Sequence, residues 1–217
     1  MGAERPEARP IDAVVFDIGG VLIDWNPRHL FRKLFPGDPR AMEHFLATVC
    51  TPEWNLQQDR GRPFAEGIAL LEAEHPDRAP LIHAYRERWI EMLEGSVEGS
   101  VEILAELRER GVPLYALSNW SAETFPEARA RFSFLSWFRG ILISGEVGVA
   151  KPNPEIYQLL CNRFRLTPAA TLFVDDSPAN VEAARRLGFA ATHFREAEQL
   201  RAALTSHGLL RAITEMR

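Results

Sequence analysis

Apolar and polar positions divide the chain into two kinds of segment. Residues 12–17 form a short run of β-branched and aromatic residues that is followed by glycines, which is typical of a buried strand. Four similar runs follow residue 110, and between them apolar residues recur at spacings of three and four, as in amphipathic helices. Near-continuous apolar strands that alternate with helices build a parallel sheet covered on both faces. The pattern predicts an α/β fold with a doubly wound parallel sheet, and its later strands are VPLYALS, GILIS, ATLFVDD and AATHF.

The segment 25–95 differs from the rest because its periodicity is helical nearly throughout. Asn26 and Pro27 have the pattern of a helix N-cap and a first helical residue. Since the segment separates the first strand from the others, we expect a small all-helical cap inserted into the sheet domain. The predicted core comprises 1–24 and 96–217, the cap comprises 25–95, and residues 1–10 form a loose arm. A continuous second lobe with no gating role is the alternative.

Polar residues follow four of the predicted strands at the point where each strand ends. In a doubly wound sheet, ligands bind outside the carboxyl ends of the strands. Two adjacent carboxylates at the end of an apolar strand repel each other, and a bound divalent cation would offset that repulsion. The sequence therefore predicts one crevice that contains a hydroxyl, a lysine and acidic groups, and these residues are Asp17, Ser118, Asn119, Lys151, Asp175 and Asp176.

Composition narrows the class of protein. The 217 residues carry a formal net charge of -5, which argues against a nucleic-acid-binding protein with its usual basic face. Cys50 and Cys161 form neither a CxxC pair nor a metal-ligand spacing, so we expect no disulfide framework and a cytoplasmic location. We also expect no secretory signal and no membrane span. Lys33 and Lys151 are the two lysines among 25 basic residues, so we expect a specific role for each lysine.

Four motifs together resemble the haloacid dehalogenase (HAD) superfamily of aspartate-nucleophile hydrolases. They are VVFDIGGVL, ALSNW, GVAKPNPEIY and LFVDDSPANVEAARRLG, and the resemblance covers nearly the whole chain. The helical insertion lies where the superfamily carries its smaller type of cap. The resemblance implies a Rossmann-like core and a hydrolase, and we expect a phosphatase that acts on small phosphomonoesters, including sugar phosphates.

The resemblance also implies a role for each matching residue. Asp17 would be the nucleophile that forms an aspartyl-phosphate. Asp176 would bind Mg²⁺ together with the Asp17 carboxylate and the backbone carbonyl of Gly19, and Asp175 would hold the metal directly or through water.

The remaining matches would bind the phosphoryl group. Ser118 and the backbone N–H of Asn119 would donate hydrogen bonds to its oxygens. Lys151 would neutralise negative charge, which is the main task in phosphoryl transfer. A compact ammonium fits between two anions where a planar guanidinium does not, which gives Lys151 its reason in a chain rich in arginine.

Gly19 departs from the phosphatase pattern. Most phosphatases of the superfamily carry a second aspartate there, which protonates the leaving group and then activates water. A positioned acid or base is worth roughly 10²–10⁴-fold in rate, so its loss slows an enzyme without abolishing activity. The alpha-D-glucose-1-phosphate phosphatase-like members resemble this chain in having glycine at that place. Asp24 is a candidate replacement near in sequence, although a helix-capping or hinge role is the simpler interpretation.

Two other functions remain open. A 2-haloacid dehalogenase needs no proton donor for halide. The residues compatible with this function are Ser118, Asn119, Lys151 and Tyr157. The Asp175-Asp176 pair is not, because dehalogenases use no metal and two uncompensated carboxylates would repel a carboxylate substrate. The second alternative is a non-catalytic binding protein that retained the fold, which the missing acid favours and the other motif residues oppose.

Specificity in this superfamily resides in the cap. We expect Trp120, beside the second motif, to form an aromatic wall against the substrate, and we expect Trp89 to be buried in the core of the cap. We expect no nucleic-acid or membrane partner and no histidine-based metal site. The cap residues that we expect to face a substrate are Trp54, Gln57, Gln58, Asp59, Arg60 and Arg62.

Overall fold

The computed structural model describes residues 10–211, so the expected N-terminal arm lies almost entirely outside the described residues. Seven strands are present in this range. They are β1 (Ala13–Phe16), β2 (Ile23–Trp25), β3 (Leu93–Ser96), β4 (Leu114–Ser118), β5 (Gly140–Ile143), β6 (Thr171–Asp175) and β7 (Ala190–His193).

Helices connect these strands, and most begin at a proline in the first turn, where a missing N–H costs nothing. Short 3₁₀ turns lie at Pro76–Arg78, Trp89–Met92, Ser133–Trp137 and Pro168–Ala170. The helices are α1 (Pro27–Leu34), α2 (Pro39–Thr48), α3 (Pro52–Asp59), α4 (Phe64–Glu74), α5 (Ala79–Glu87), α6 (Glu98–Glu109), α7 (Phe125–Arg131), α8 (Ser144–Val147), α9 (Pro154–Phe164), α10 (Pro178–Arg186) and α11 (Ala197–Ser206).

Five strands form a parallel sheet in the order β5-β4-β1-β6-β7, which confirms the predicted doubly wound α/β fold. The first strand lies in the middle of the sheet. Phe16 is level with Ala116 of β4 on one side and with Val174 of β6 on the other. The residues that follow β1, β4 and β6 therefore meet at one edge of the sheet.

The helical segment is connected to the sheet by a two-stranded ribbon that sequence analysis missed. β2 and β3 pair antiparallel, and α1 to α5 lie between them along the chain. Asn26 caps α1 through its side chain, as predicted. Thr51 caps α3 in the same way, through a hydrogen bond from the backbone N–H of Trp54.

Aromatic side chains form much of the core of this helical segment. Trp54 packs edge-on against Tyr85 at a centroid distance of 5.0 Å and against Phe64 at 6.1 Å. Phe31 contacts Tyr85 and Phe45 in turn. Among the described residues, no helix combines the length and the apolar character that crossing a membrane requires.

Candidate active site

Asp17 lies directly after β1, with its carboxylate enclosed by donors. Its Oδ1 accepts hydrogen bonds from the backbone N–H of Ile18 and from Ser118 Oγ, both at 2.7 Å. Its Oδ2 lies 2.9 Å from Lys151 Nζ. The side chain is 11% exposed, so the carboxylate is accessible from one side while its other contacts fix its orientation.

Lys151 is buried between two carboxylates. Its ammonium donates to Asp175 Oδ2 at 2.6 Å and to the carbonyl of Leu117 at 2.8 Å, in addition to its contact with Asp17. Asp175 is itself fully buried and accepts further hydrogen bonds from Ser177 N and Asn180 Nδ2. A buried charge persists only when it is paired and hydrogen-bonded, and both partners meet that condition. Asn180, which sequence analysis did not identify, supports this arrangement.

Asn119 connects the loop after β4 to the lysine. Its Nδ2 donates to the carbonyl of Lys151 at 3.0 Å, and its Oδ1 accepts from the N–H of Lys151 at 2.8 Å. Both hydrogen bonds involve the lysine backbone, so the asparagine side chain holds the lysine loop in place. The backbone of Trp120 is fixed in a similar way, by a hydrogen bond from its N–H to Ser144 Oγ.

Asp176 is the exposed acid of the pair, and Gly20 makes room for its carboxylate. A Cβ at Gly20 would lie 2.2 Å from Asp176 Oδ2, and the backbone there has φ +75. Only glycine avoids both the clash and the strain of that conformation. By contrast, a Cβ at Gly19 would meet no described atom within 4 Å. Gly20 thus provides a tight turn beside the Asp176 carboxylate.

Burial dominates the electrostatics of the site. It raises the pKa of Asp17 to about 7, with Asp175 and Asp176 adding to the increase and Lys151 and Ser118 opposing it. Burial also raises the pKa of Asp176, as does the neighbouring Asp175. For Lys151, burial lowers the pKa, but the two carboxylates outweigh that effect and raise it above its usual value. The ammonium therefore stays charged. A further positive charge in the site would stabilise the ionised carboxylates.

The donor set fits a hard divalent cation. Asp17, Asp175 and Asp176 each offer a carboxylate oxygen, and these oxygens lie within 4.8 Å of one another. The Lys151 ammonium pairs with Asp17 and Asp175, so three ionised carboxylates leave two negative charges uncompensated. Mg²⁺ prefers carboxylate oxygens and retains several waters, so few protein ligands suffice.

A cavity of about 350 Å³ opens beside Asp17. It lies between the carboxyl edge of the sheet and the helical segment, and both contribute to its walls. Its lining combines acidic, amide and indole side chains with exposed backbone at the glycines. The lining residues are Asp17, Gly19, Gly20, Trp25, Asn55, Asp59, Trp89, Ser118, Asn119, Trp120 and Asp176.

The tryptophans are distributed differently from expectation. Trp54 lies in the aromatic core of the helical segment, where its Nε1 donates to the carbonyl of Gly67, so the expectation that it faces a substrate is wrong. Trp89, expected to be core alone, lines the cavity and packs 5.5 Å from Trp120. Within residues 10–211, Trp120 Nε1 is buried without a hydrogen-bond partner. Trp25 completes an indole wall that sequence analysis only partly anticipated.

Of the six cap residues expected to face a substrate, Asp59 is the one that lines this cavity in the described part of the chain. Gln58 is fully buried and donates to the carbonyl of Trp54, so its role is structural. Arg62 donates to Gln58 in turn. Asn55, one helical turn before Asp59, also lines the cavity and was missed because its neighbours show no apolar periodicity.

The remaining polar candidates lie elsewhere. Asp24 is exposed in β2 and contacts His29 Nε2 at 3.1 Å, outside the residues that line the cavity. Gln57 and Arg60 are exposed. These placements leave Asp59 as the acidic side chain that the helical segment contributes to the cavity.

Comparisons with a family model and with a relative of known function both indicate a hydrolase. Residues 11–188 match the family model of haloacid dehalogenase-like hydrolases. A sesquiterpene phosphatase of Aspergillus oryzae, astK, is 28% identical over 192 residues, which cover 85% of this chain and 90% of the relative.

Solved structures of similar shape include two enzymes of that family. A HAD family enzyme of Bacteroides thetaiotaomicron, in complex with magnesium and inorganic phosphate, is 26% identical with a TM-score of 0.65, covering 85% of this chain and 94% of its own. The L-2-haloacid dehalogenase RSc1362 is 25% identical with a TM-score of 0.64, covering 84% and 86%.

Proposed function

We propose that this chain, which belongs to the family of haloacid dehalogenase-like hydrolases, is a Mg²⁺-dependent phosphatase of small phosphomonoesters. The observation that supports this most strongly is the cluster of three carboxylate groups, two of which pair with the Lys151 ammonium. The sequence resemblance assigned these residues to phosphoryl transfer, and the fold brings them together. A magnesium and phosphate complex of a similar enzyme adds support for the metal.

In this proposal Asp17 is the nucleophile. Its carboxylate attacks phosphorus, the bond from phosphorus to the leaving oxygen breaks, and an aspartyl-phosphate forms. Ser118 and Lys151 already contact the Asp17 oxygens, so they orient the attacking carboxylate and balance charge on the transferring group. Water then hydrolyses the mixed anhydride and restores the carboxylate.

Mg²⁺ would be held by Asp17 and Asp176, with the backbone carbonyl of Gly19 as a third ligand. It would supply positive charge that stabilises phosphoryl oxygens in the transition state. Asp175 contributes differently, since both of its oxygens already accept hydrogen bonds from Lys151, Ser177 and Asn180. We place Asp175 as a positioning residue for the lysine that contacts the metal at most through water.

The cavity walls point to the substrate class. Trp25, Trp89 and Trp120 line it with indole rings, and Asn55 adds an amide. Indole faces pack well on the apolar face of a sugar ring or on a hydrocarbon group. Substrates would therefore combine a phosphate monoester with such a group, and sugar phosphates, including sugar 1-phosphates with their good leaving groups, are the first class to examine.

Dehalogenation is the second candidate, favoured by the glycine at position 19 and by a similar dehalogenase structure. Two features oppose it. Asp176 adds a negative charge that Lys151 does not contact, and this charge repels a 2-haloacid carboxylate. Tyr157, expected to be compatible with this chemistry, is fully buried and donates its hydroxyl to the carbonyl of Asn180.

The test is a hydrolysis screen over phosphomonoesters and 2-haloacids, with Mg²⁺ and with EDTA. We expect phosphate release that requires Mg²⁺ and falls by at least about 10³-fold in Asp17→Asn, because the amide cannot attack phosphorus. Halide release that persists in EDTA would show that the protein is a dehalogenase and not a phosphatase. Folded protein without either activity would favour a binding protein.

A further inference from the structure

We propose that Asp59 of the helical segment acts as the general acid and base of the reaction, a role that the glycine at position 19 cannot fill. The inference rests on the proposed phosphatase function and adds a catalytic residue to it. Asp59 is the last residue of α3, and it lines the same cavity as Asp17, Gly19 and Asp176. A leaving group held in that cavity would lie between the nucleophile on the sheet edge and this carboxyl group on the helical side.

The two positions are complementary. Gly19 lines the cavity with backbone only, and a Cβ built there meets no described atom within 4 Å. That space is open to the leaving group, and Asp59 lines the same cavity from the helical segment. The proton donor has therefore moved from the loop after β1 to the helix that covers it.

The local structure holds Asp59 in a defined orientation. Asn55 Nδ2 donates to Asp59 Oδ2 at 2.9 Å, one helical turn earlier. The turn after α3 approaches the core closely, because a Cβ at Gly61 would lie 3.3 Å from the carbonyl oxygen of Gly145. Phe64 N donates to Glu123 Oε1 a few residues later, at 2.8 Å. These contacts fix the end of α3 over the cavity.

The environment also favours the protonated form of Asp59. Burial raises its pKa to about 7 and the nearby charge of Asp17 adds to this, while a hydrogen bond from the backbone of Ser121 lowers it. A carboxyl group with that pKa carries a proton for a large fraction of the time near neutral pH, as a general acid must.

The position of Asp59 is unfavourable for a carboxyl group whose role is structural alone. A carboxylate in the last turn of a helix interacts unfavourably with the helix dipole, and partial burial adds a desolvation cost. Asp59 is located in both of these environments. Unfavourable placement of a titratable group in a cavity is typical of functional residues.

The proposed reaction consumes only the phosphate ester and water. As the Asp17 carboxylate attacks, the bond from phosphorus to the leaving oxygen breaks, and that oxygen takes the proton of the Asp59 carboxyl group. In the second step the Asp59 carboxylate removes a proton from water as the water oxygen attacks phosphorus. The bond from phosphorus to Asp17 breaks, which releases inorganic phosphate and returns both aspartates to their starting states.

The test compares Asp59→Asn with the unaltered protein on an alkyl phosphate and on 4-nitrophenyl phosphate, each with Mg²⁺. Protonation matters most for a poor leaving group, so we expect kcat on the alkyl ester to fall by about 10²–10⁴-fold. On the nitrophenyl ester we expect a burst of nitrophenolate equal to the enzyme concentration, followed by slow turnover, because the base for the second step is missing.

Two further variants control for folding and for location. Glu53→Gln changes an exposed acid on the same helix and should leave both rates unaltered. Gly19→Asp combined with Asp59→Asn should recover alkyl phosphate hydrolysis, because position 19 has open space. The thermal midpoint of each variant identifies any that fails to fold, and the double variant then decides the question.

The results separate the two proposals. If the unaltered protein hydrolyses no phosphate ester, the phosphatase proposal fails, and Asp59 fails with it. If it hydrolyses both esters and Asp59→Asn retains the alkyl rate and shows no burst, the phosphatase stands and the role of Asp59 is refuted. A loss on both esters without a nitrophenolate burst, which Gly19→Asp does not repair, would also refute it.

Discussion

Replacing Lys151 by methionine tests how the site is stabilised. The change removes an ammonium that lies 2.9 Å from Asp17 and 2.6 Å from Asp175, while it keeps an unbranched side chain of similar length. The lysine side chain is completely buried, so water cannot take its place without rearrangement. Two carboxylates would then face each other in a poorly solvated site.

The expected loss is large. Removing one partner of a buried ion pair costs about 3–5 kcal/mol in the free energy of unfolding. For a chain of this size each kcal/mol lowers Tm by about 2–4 °C, so we expect a decrease of roughly 6–20 °C. The matched control is Lys33→Met. Its ammonium pairs with Glu91 at the surface with 55% of the side chain exposed, and such a pair is worth at most about 1 kcal/mol.

The pH dependence of the loss has a defined sign. Burial already raises the pKa of Asp17 to about 7, and without the lysine charge that pKa rises further. The folded variant then binds protons that the unfolded chain, with its ordinary carboxyl pKa, releases. Stability of Lys151→Met is therefore best preserved at low pH and is lost progressively as the pH rises through the folded pKa.

The assay is urea unfolding of the unaltered protein, Lys151→Met and Lys33→Met at pH 5 and pH 8, in EDTA so that no metal replaces the charge. A Lys151→Met variant that loses no more stability than Lys33→Met at pH 8 would refute the reasoning. So would a loss that is greater at pH 5 than at pH 8.

Two further changes test the role of Gly20 and that of Asp24, which lies in the ribbon. Gly20→Ala places a methyl group 2.2 Å from Asp176 Oδ2, so we expect Mg²⁺ affinity measured by calorimetry to fall by about 10–100-fold. Gly19→Ala is its matched control because its Cβ lies in open space, and equal losses in the two variants would contradict the clash. Asp24→Asn breaks an exposed contact with His29, so kcat for phosphomonoesters should stay within about twofold and stability within about 0.5 kcal/mol. A large fall in kcat would return Asp24 to the list of proton donors.

The sequence predicted the carboxyl edge of the sheet because strands signal themselves locally. Apolar runs of four or five residues end at Asp17, Ser118 and Asp175, and the parallel topology brings those ends together. Lys151 was identified by its rarity. These features depend on residues that are close in sequence or on a topology that alternation alone specifies.

The helical side was harder to predict because its local signals are weak. α3 has a largely polar sequence with little amphipathic character, so periodicity did not reveal it. The ribbon consists of strands of three and four residues, too short for alternation to be distinctive. Whether Trp54 or Trp89 faces the cavity depends on packing between elements far apart in the chain, which no local pattern encodes.

The indole wall also makes the protein its own reporter. Of its five tryptophans, Trp25, Trp89 and Trp120 line the cavity, while Trp54 is enclosed in the helical segment and Trp137 lies against Arg108. Intrinsic fluorescence is therefore weighted toward the site. A ligand that enters the cavity should change the emission of three fluorophores at once, so phosphate esters can be ranked by titration without a label or turnover.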